Sequence, residues 1–394
     1  MKKPFLIGFV LSLLPMAVGA IDFSIDGLEY SVLENYDSYL PEDIVELTDG
    51  KQFTDKNLIV PSSVTYEGVD YIVVRIGTNA FEGNTNIETV VLPEGMREIW
   101  SGAFRGCKSI ASVKFPSSLK DIFRQAFKGC NRLEEVILPD NMGAIRMEAF
   151  SGCSHLKSFV FPKHLIVLET YELLANCSSL EEVVCPPLFV SSYYGDGPDG
   201  YPRVADYPYY YRRTFVNCSN LREVTLSSCP EALFQRMSFD NVFEGCKRLE
   251  KITFDDVKCI SFTEQIDGLR IIEFKSCEDL RLGFNQFNLE GCPSLEKIIL
   301  SSEIPPKCDE LVCTEEQFQN VMVIVPDGAV EAYAQADGWS HFLNINSASD
   351  PSSVGSVKMT NLQADTPYNN LNGIRVAQPK KDVYIKNGKK IIVK

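Results

Sequence analysis

Thirteen cysteines and three histidines are the residues of this 394-residue chain that suit metal binding, redox chemistry or nucleophilic catalysis. Their spacing favours none of these functions, because no Cys-x-x-Cys pair occurs and no cysteine–histidine spacing resembles a zinc site. Only His155, His164 and His341 supply imidazole for acid–base chemistry. We therefore expect no metal and no cofactor.

Seven of the cysteines occupy one position of a repeated pattern. A repeated position of this kind predicts a ladder of small buried side chains whose thiols make weak hydrogen bonds into a turn. Outside it, Cys308 and Cys313 are the best candidates for a disulfide, because cysteines of exported proteins are exposed to an oxidising compartment. The members of the ladder are Cys107, Cys130, Cys153, Cys177, Cys218, Cys246 and Cys292.

Other catalytic patterns are weak. Ser117 and Lys120 match Ser-x-x-Lys, but they lie in a repeated turn without partner motifs, and no nucleophile elbow, P-loop, dinucleotide-binding or zinc-protease motif occurs. The acidic pairs 134–135 and 181–182 have basic neighbours and indicate a solvated face. We expect no enzyme. The competing hypothesis is an enzyme in the irregular coils. Polar side chains that converge in a pocket near residues 227–290 would favour it.

The elements that position these residues are repeats with a period of 23. Each repeat has an isoleucine four residues before an alanine–phenylalanine pair, and an apolar–proline pair eleven residues after the phenylalanine. A fixed period of this length predicts a solenoid. The repeated pairs are Ala80-Phe81, Ala103-Phe104, Ala126-Phe127 and Ala149-Phe150.

Within each repeat, the alternating residues before the proline predict a short parallel strand, and the Ala-Phe segment predicts a short helical turn. A Gly or Asn two residues after the phenylalanine position suits the positive φ at the end of such a turn. One coil buries too little apolar surface to fold alone, so neighbouring coils must stack. The period loosens after Phe161, and nine coils are visible in a β-rich α/β repeat solenoid. The residues at the turn position are Gly83, Gly106, Gly129, Gly152, Asn176, Asn217, Gly245 and Gly291.

The pattern Leu-x-x-Val-x-Leu-Pro, followed by Ile-x-x-x-Ala-Phe-x-Gly-Cys, resembles the BspA-like leucine-rich repeat family of bacterial secreted and surface proteins. The resemblance covers about residues 64–300. It implies a right-handed leucine-rich repeat solenoid, a role in recognition or adhesion, and no shared catalytic residues. Residues 21–63 resemble the family's β-rich N-terminal cap, and residues 301–345 resemble its C-terminal cap.

The two ends of the chain carry export features. Residues 1–20 combine a basic start, an apolar run and small residues before position 21, which predicts a signal peptide and a secreted or outer-surface location. No later segment is a transmembrane candidate. Residues 346–369 predict a linker, and 370–394 a basic β-hairpin similar to the end segments of secreted Bacteroidetes proteins. That tail is either a sorting signal or a solubilising end.

Charge separates the tail from the rest of the chain. Acidic residues outnumber basic ones by 53 to 38, which gives a net charge of −15. Residues 371–394 carry +6, whereas residues 21–370 carry −23. A surface of that sign disfavours binding to nucleic acid or to an anionic membrane. The sequence does not indicate the oligomeric state.

Two features are candidates for recognition. The first is an insertion, residues 186–213, whose tyrosines with interleaved Gly and Asp have the composition of an antibody paratope and also suit sugar rings. The second is the outward position of the strands, which is apolar and β-branched at Val91, Ile137, Val160 and Val184 and indicates a contact surface. Local packing of the rings, or β-propensity alone, would also explain these features. The tyrosines are Tyr193, Tyr194, Tyr201, Tyr207, Tyr209, Tyr210 and Tyr211.

These observations predict a non-enzymatic protein that recognises a host or bacterial protein partner through one solenoid face and the insertion. Two alternatives stay open. A glycan ligand would make binding sensitive to soluble saccharide. A structural spacer would tolerate deletion of the insertion.

Overall fold

The computed structural model describes residues 22–33, 43–186, 209–227, 236–257, 259–275, 281–308 and 311–349, and the tail strands within 368–393. The described residues form a parallel β-solenoid of about ten turns. Each complete coil contributes one strand to a front row and one to a back row, and the turn with the Ala-Phe position follows the back strand. The predicted signal peptide lies outside the described residues.

The front row contains the strands that lie at the last apolar position of each coil, which a proline follows in the regular early coils. Its strands are β4 Asn57–Ile59, β7 Thr89–Val91, β9 Ser112–Lys114, β11 Glu135–Ile137, β13 Ser158–Val160, β15 Glu182–Val184, β17 Glu223–Ser227, β19 Lys251–Asp255, β21 Ile271–Lys275, β23 Lys297–Leu300, β26 Met322–Val325 and β27 Asn344–Ser347. They pair in three parallel runs, β4-β7-β9, β11-β13 and β15-β17-β19-β21-β23-β26-β27. Their register keeps the same repeat position aligned from coil to coil, so a residue type that recurs in sequence becomes a row in space.

The back row also pairs in parallel, in two sheets. In the first half it contains β6 Val69–Ile76, β8 Glu98–Ile99, β10 Asp121–Ile122, β12 Ala144–Ile145 and β14 Val167–Leu168. In the second half it contains β16 Tyr209–Arg212, β18 Arg236–Asp240, β20 Cys259–Phe262, β22 Arg281–Asn288, β24 Lys307–Cys308 and β25 Leu311–Val312. The repeated isoleucines Ile76, Ile99, Ile122 and Ile145 stack on this side and are fully buried.

The two ends of the solenoid are closed differently. At the N-terminal end, β1 Asp22–Ile25 and β2 Leu28–Val32 form a hairpin that pairs antiparallel with β3 Ile44–Asp49, and β5 Ser63–Tyr66 pairs antiparallel with β6. The strands β3 and β4 already stack in parallel on β6 and β7, so coil stacking starts before residue 64. At the C-terminal end, β26 and β27 continue the parallel pairing beyond residue 300.

The turns contain little helix. Successive i to i+3 backbone hydrogen bonds, such as the 3.1 Å bond from Cys107 N to Phe104 O, make the Ala-Phe segment a series of turns. The described helices lie only near the C-terminal end: α1 Glu315–Asn320, α2 Val330–Gln335 and a 3₁₀ turn Trp339–His341. The predicted positive φ occurs at seven of the eight Gly or Asn turn positions. Gly291 is the exception, and a Cβ atom there would lie 2.5 Å from the Glu264 carbonyl oxygen.

One continuous core runs along the solenoid. Phe81, Phe104, Phe127 and Phe150 are fully buried, and their rings stack in parallel with centroids 5.1–5.4 Å apart. The rings therefore contact the coils before and after their own, which joins coils that could not fold separately.

The tail has its own sheet. Its strands are β28 Tyr368–Asn369, β29 Arg375–Val376, β30 Asp382–Lys386 and β31 Lys389–Val393. The last two pair antiparallel, with Lys386 opposite Lys389. Among the described residues, none of these four strands pairs with a strand of the solenoid.

Candidate functional site

The outward residues of the first front strands form an apolar row on the surface. Ile59, Ile137, Val160 and Val184 each expose 52–69% of their surface, and Val91 is half-buried. Ile59 is opposite Val91, and Ile137 is opposite Val160, because their strands pair in register. We call Ile59, Val91, Ile137, Val160 and Val184 the ridge. Adjacent strands lie about 4.8 Å apart, so its last three members form a continuous apolar surface over three successive coils.

Ile59 was missed by the sequence analysis, although a signal for it exists. Val60-Pro61 is an apolar–proline pair like those that end the later strands, but it lies 32 residues before Leu92-Pro93 and thus outside the 23-residue period. Lys114 interrupts the ridge between Val91 and Ile137, and it is exposed. The ridge also ends with the early coils, since Thr253 at the same position is buried.

Carboxylates lie beside the ridge on three of the front strands, two residues before the outward position. Glu135, Glu182 and Glu223 are exposed at this position, and Ser158 separates the first two. Within the part of the chain that the structure describes, none of these three carboxylates takes part in an ion pair. Glu134, one residue earlier, does pair with Lys157 at 2.8 Å. The ridge thus has the apolar centre and polar border typical of a protein-binding surface.

The tyrosine-rich insertion is shorter than the sequence predicted. Tyr209, Tyr210 and Tyr211 belong to β16, which pairs with β18 in the back row, so they are part of a solenoid coil rather than of the inserted loop. Their composition is like that of the preceding residues, which is why the sequence placed them in the insertion. Pairing with the strand of the next coil makes them part of the solenoid instead. The other four tyrosines, Tyr193, Tyr194, Tyr201 and Tyr207, lie outside the described residues.

The repeated cysteines lie behind the turns and are closed to solvent. The Cys107 thiol donates to the Phe81 carbonyl oxygen of the preceding coil at 2.9 Å, and Cys130 donates to Phe104 in the same way at 3.2 Å. Burial raises the pKa of Cys107 to about 12 and raises that of Cys130 well above its ordinary value. Cys153, Cys177, Cys218 and Cys246 repeat the arrangement with sulfur–oxygen distances of 3.0–3.4 Å, whereas Cys292 is 4.0 Å from its acceptor. These thiols are structural donors and not nucleophiles.

Cys308 and Cys313 stay the candidates for a disulfide. Burial raises the pKa of the Cys313 thiol to about 12. Cys308 packs against Gly338, where an added Cβ would lie 3.3 Å from the cysteine Cβ. The position of Cys308 is thus set by packing against the segment that leads into the 3₁₀ turn.

A second row of side chains, on the back of the early coils, was not found from the sequence. The Arg75 guanidinium lies 4.1 Å from the centre of the Trp100 ring, and the Phe123 ring lies 5.2 Å away in the following coil. Arg75 Nε and Trp100 Nε1 both donate to Glu98 Oε2, at 2.8 and 2.7 Å. The half-buried indole is therefore contacted by a guanidinium from the preceding coil and by a ring from the following coil.

The candidate catalytic side chains have structural hydrogen-bond partners. The Ser117 hydroxyl donates to Glu94 at 2.9 Å and Lys120 donates to the Asn141 carbonyl at 3.0 Å, so the Ser-x-x-Lys match is not a catalytic pair. Within 227–290, the buried carboxylate of Glu264 accepts backbone N–H groups of Val242 and Phe243 at 3.3 and 3.4 Å. The described residues contain no cluster of three or more His, Cys, Asp or Glu side chains that could hold a metal ion.

The parallel front row, the stacked turns and the buried ladders together define a leucine-rich repeat solenoid. Residues 74–193 and 209–305, more than half of the chain, match six copies of the BspA type leucine-rich repeat region. The chain therefore belongs to the BspA-type leucine-rich repeat family. A comparison with curated proteins finds no match.

Similar folds occur among solved structures. A leucine-rich repeat protein from Bacteroides ovatus ATCC 8483 is 23% identical, with a TM-score of 0.48, over 83% of this chain and 88% of that chain. The pneumococcal vaccine antigen PcpA is 17% identical, with a TM-score of 0.39, over 83% of this chain and 98% of that chain. A leucine-rich cell surface protein from Faecalibacterium prausnitzii A2-165 is 17% identical, with a TM-score of 0.35, over 84% and 95% of the two chains. At these identities and TM-scores the likeness carries no conclusion about the function of this chain.

No helix within the described ranges is long and apolar enough to cross a bilayer.

Proposed function

We propose that this protein is exported and recognises a protein partner through the ridge and the neighbouring tyrosine-rich insertion. The observation that carries the proposal is the exposure of Ile137, Val160 and Val184 in three successive coils. Large β-branched side chains are not required on the solvent face of a strand, so a continuous apolar row there indicates a contact surface.

The insertion is close to the ridge along the chain. The last described residue before it is Pro186, two residues after Val184. Aromatic side chains that leave the solenoid at this point would extend the contact surface beyond the short front strands. Tyrosine supplies a large amphipathic contact area at low conformational cost, which suits this role.

The test is a binding screen of the chain from Ile21 against arrays of host and bacterial surface proteins and of glycans. The ridge variant carries Ile137→Thr, Val160→Thr and Val184→Thr, because threonine keeps the β-branch and removes apolar surface. The insertion variant replaces residues 190–207 by a short Gly/Ser linker and leaves β16 intact. We expect a protein hit that weakens at least tenfold in the ridge variant, since about four apolar carbons (an ethyl and two methyl groups) lose their contacts.

A matched control separates the ridge from exposed apolar surface in general. Ile166 and Ile304 expose 58% and 74% of their surface but lie outside the front strands, so Ile166→Thr with Ile304→Thr should leave binding unchanged. Equal loss in both variants would contradict the proposal. A hit on glycans that soluble saccharide competes away would replace the protein partner by a sugar. Unaltered binding by both the ridge and insertion variants would locate recognition elsewhere.

Export is tested separately. Residues 1–20 and membership of a family whose resemblance implies surface proteins support a secreted or outer-surface location. We expect N-terminal sequencing of protein recovered outside the cytoplasm to begin near Ile21. Retention of Met1 in cytoplasmic protein would contradict export.

A further inference from the structure

The ridge and the C-terminal tail have complementary chemistry. Beside the ridge, Glu135, Glu182 and Glu223 are exposed carboxylates that make no ion pair among the described residues. The tail, residues 371–394, is the basic region of an otherwise acidic chain, with seven Lys or Arg against one Asp. It also holds the apolar runs 383–385 and 391–393 within β30 and β31. An apolar strip with cationic neighbours is the surface that an apolar ridge with an anionic border would bind.

The connection between solenoid and tail is long enough for this contact within one molecule. Residues 350–367 separate the last described residue of the solenoid from β28. Extended at about 3.3 Å per residue, this segment reaches roughly 60 Å. The front row from β27 back to β15 comprises six strand spacings, or about 29 Å, and β11 lies about 10 Å further. The tail can therefore reach the ridge without full extension of the connection.

We propose that the tail hairpin docks on the ridge of its own chain, and that attraction between its basic residues and the carboxylates of Glu135, Glu182 and Glu223 favours this contact. The proposal rests on the ridge being a contact surface, as in the proposed function. Docking within one molecule is favoured because a tether of this length gives an effective concentration in the millimolar range. A bound tail would cover the ridge, so a partner would bind only as the tail leaves it.

A second copy of the solenoid is a poorer occupant of the ridge. Two ridges facing each other would bring two rows of unpaired carboxylates together, on chains that each carry a net charge of −15. Attraction between opposite charges, in contrast, steers the tail toward the ridge. This attraction should weaken with added salt.

The test is carbodiimide crosslinking of the full chain, which joins a lysine amine directly to a contacting carboxyl group. Peptide mass spectrometry then maps the joined residues. We expect tail lysines joined to Glu135, Glu182 or Glu223 in the monomer, with a yield that falls at high salt. The variant Val160→Thr with Val184→Thr should lower that yield roughly tenfold, because two apolar contacts of about a methyl group each are lost.

Glu315 and Glu316 are the matched control carboxylates. They are exposed in α1, near the end of the solenoid from which the tail departs, so a freely moving tail would meet them first. Crosslinks mainly to these residues, or yields unchanged in the Val160/Val184 variant, would overturn docking on the ridge. A mixture of isotopically light and heavy protein gives mixed crosslinks only if the tail docks on another molecule, which would overturn the intramolecular part. Loss of partner binding in the ridge variant without any ridge crosslinks would leave the proposed function intact and reject only the tail as occupant.

Discussion

At the scale of single residues, each regular coil contains a backbone position that the sequence did not reveal. The residue just before the alanine position has a positive φ even where it is not glycine. Seven coils show this position, at Asn79, Gly102, Gln125, Glu148, Glu172, Arg213 and Asn241. A left-handed conformation costs a residue with a Cβ roughly 1–2 kcal/mol, so side-chain interactions must offset that strain.

Gln125 shows how the strain is offset. Its side chain accepts a hydrogen bond from Arg105 Nη1 at 3.0 Å and donates to Glu148 Oε1 at 3.1 Å, which links three coils. Burial opposes ionisation of Glu148, but hydrogen bonds from Lys128 and Gln125 and the charges of Lys128 and Arg124 outweigh it and lower the pKa of Glu148. The polar residues at this position thus hold neighbouring turns together.

Substitutions at Gln125 should separate the strain from the hydrogen bonds. Gln125→Ala and Gln125→Gly both remove the side-chain contacts, but only glycine relieves the positive φ. We expect Gln125→Gly to have the higher free energy of unfolding by about 1 kcal/mol, measured by denaturant titration. Lys128 lies in the same turn without a positive φ, so Lys128→Ala should be more stable than Lys128→Gly. If the glycine variant had the higher free energy of unfolding at both positions, or the alanine variant at both, the strain argument would be contradicted.

The buried thiols make a prediction about reactivity and pH. Thiol reagents attack the thiolate, and a pKa of about 12 leaves roughly one Cys107 thiolate in 10⁴ at pH 8, before burial limits access further. We expect the ladder cysteines to react with a disulfide reagent orders of magnitude more slowly in the folded protein than in guanidinium. Fast labelling of fully buried Cys130 in the folded state would refute this.

The raised pKa values of the buried thiols also make the free energy of unfolding depend on pH. Above about pH 9 the unfolded thiols ionise while the folded ones stay protonated, so the unfolded state binds fewer protons and the free energy of unfolding falls as pH rises toward 12. We expect Cys107→Ala to lessen that fall between pH 9 and 11 relative to the unsubstituted protein, in parallel denaturant titrations. An identical pH slope in the two proteins would contradict it.

At the scale of elements, the stack of phenylalanine rings ends on the N-terminal cap. Gly50, directly after β3, donates its N–H to the Ala80 carbonyl at 2.7 Å, and an added Cβ there would overlap the Phe81 ring. A glycine at this point lets the cap close over the first ring. At its N-terminal end, the stack therefore requires the cap backbone to lie close to the Phe81 ring. In its interior, the stack requires only the repeated phenylalanine.

This geometry predicts a rescue. Gly50→Ala should lower the free energy of unfolding by about 1–3 kcal/mol because the methyl group collides with the Phe81 ring. Phe81→Leu removes the colliding edge, so Gly50→Ala should be far less damaging in that background. Phe150→Leu at the other end of the stack is the control background and should give no rescue. Additive effects with Phe81→Leu in a double-mutant cycle would disprove the contact.

At the scale of the whole molecule, stability should be distributed by nearest neighbours, because each coil contacts mainly the coils beside it. Phe127→Ala should destabilise by about 3–5 kcal/mol locally, since it opens the middle of the ring stack. In amide hydrogen exchange we expect lost protection in β9, β11 and β13, while β23, β26 and β27 keep theirs. A uniform loss over all front strands would show that the solenoid unfolds as a single unit.

The sequence determined the coil period, the buried rows of Ile, Phe and Cys and the family, because every stacked coil must bury the same positions and so repeats the same residue types. It also located four of the five ridge residues, since strand alternation assigns each residue to one face.

Only the tertiary structure decided which outward residues stay exposed. Thr253 and Val184 occupy the same repeat position, yet one is buried and the other exposes 65% of its surface. Tertiary structure likewise placed Tyr209 in a paired strand and set the partners of Gln125 one coil away on either side. The physical reason is the same in each case: exposure, pairing and strain depend on what neighbouring coils and loops bring against a residue, and a local period contains no information about those neighbours.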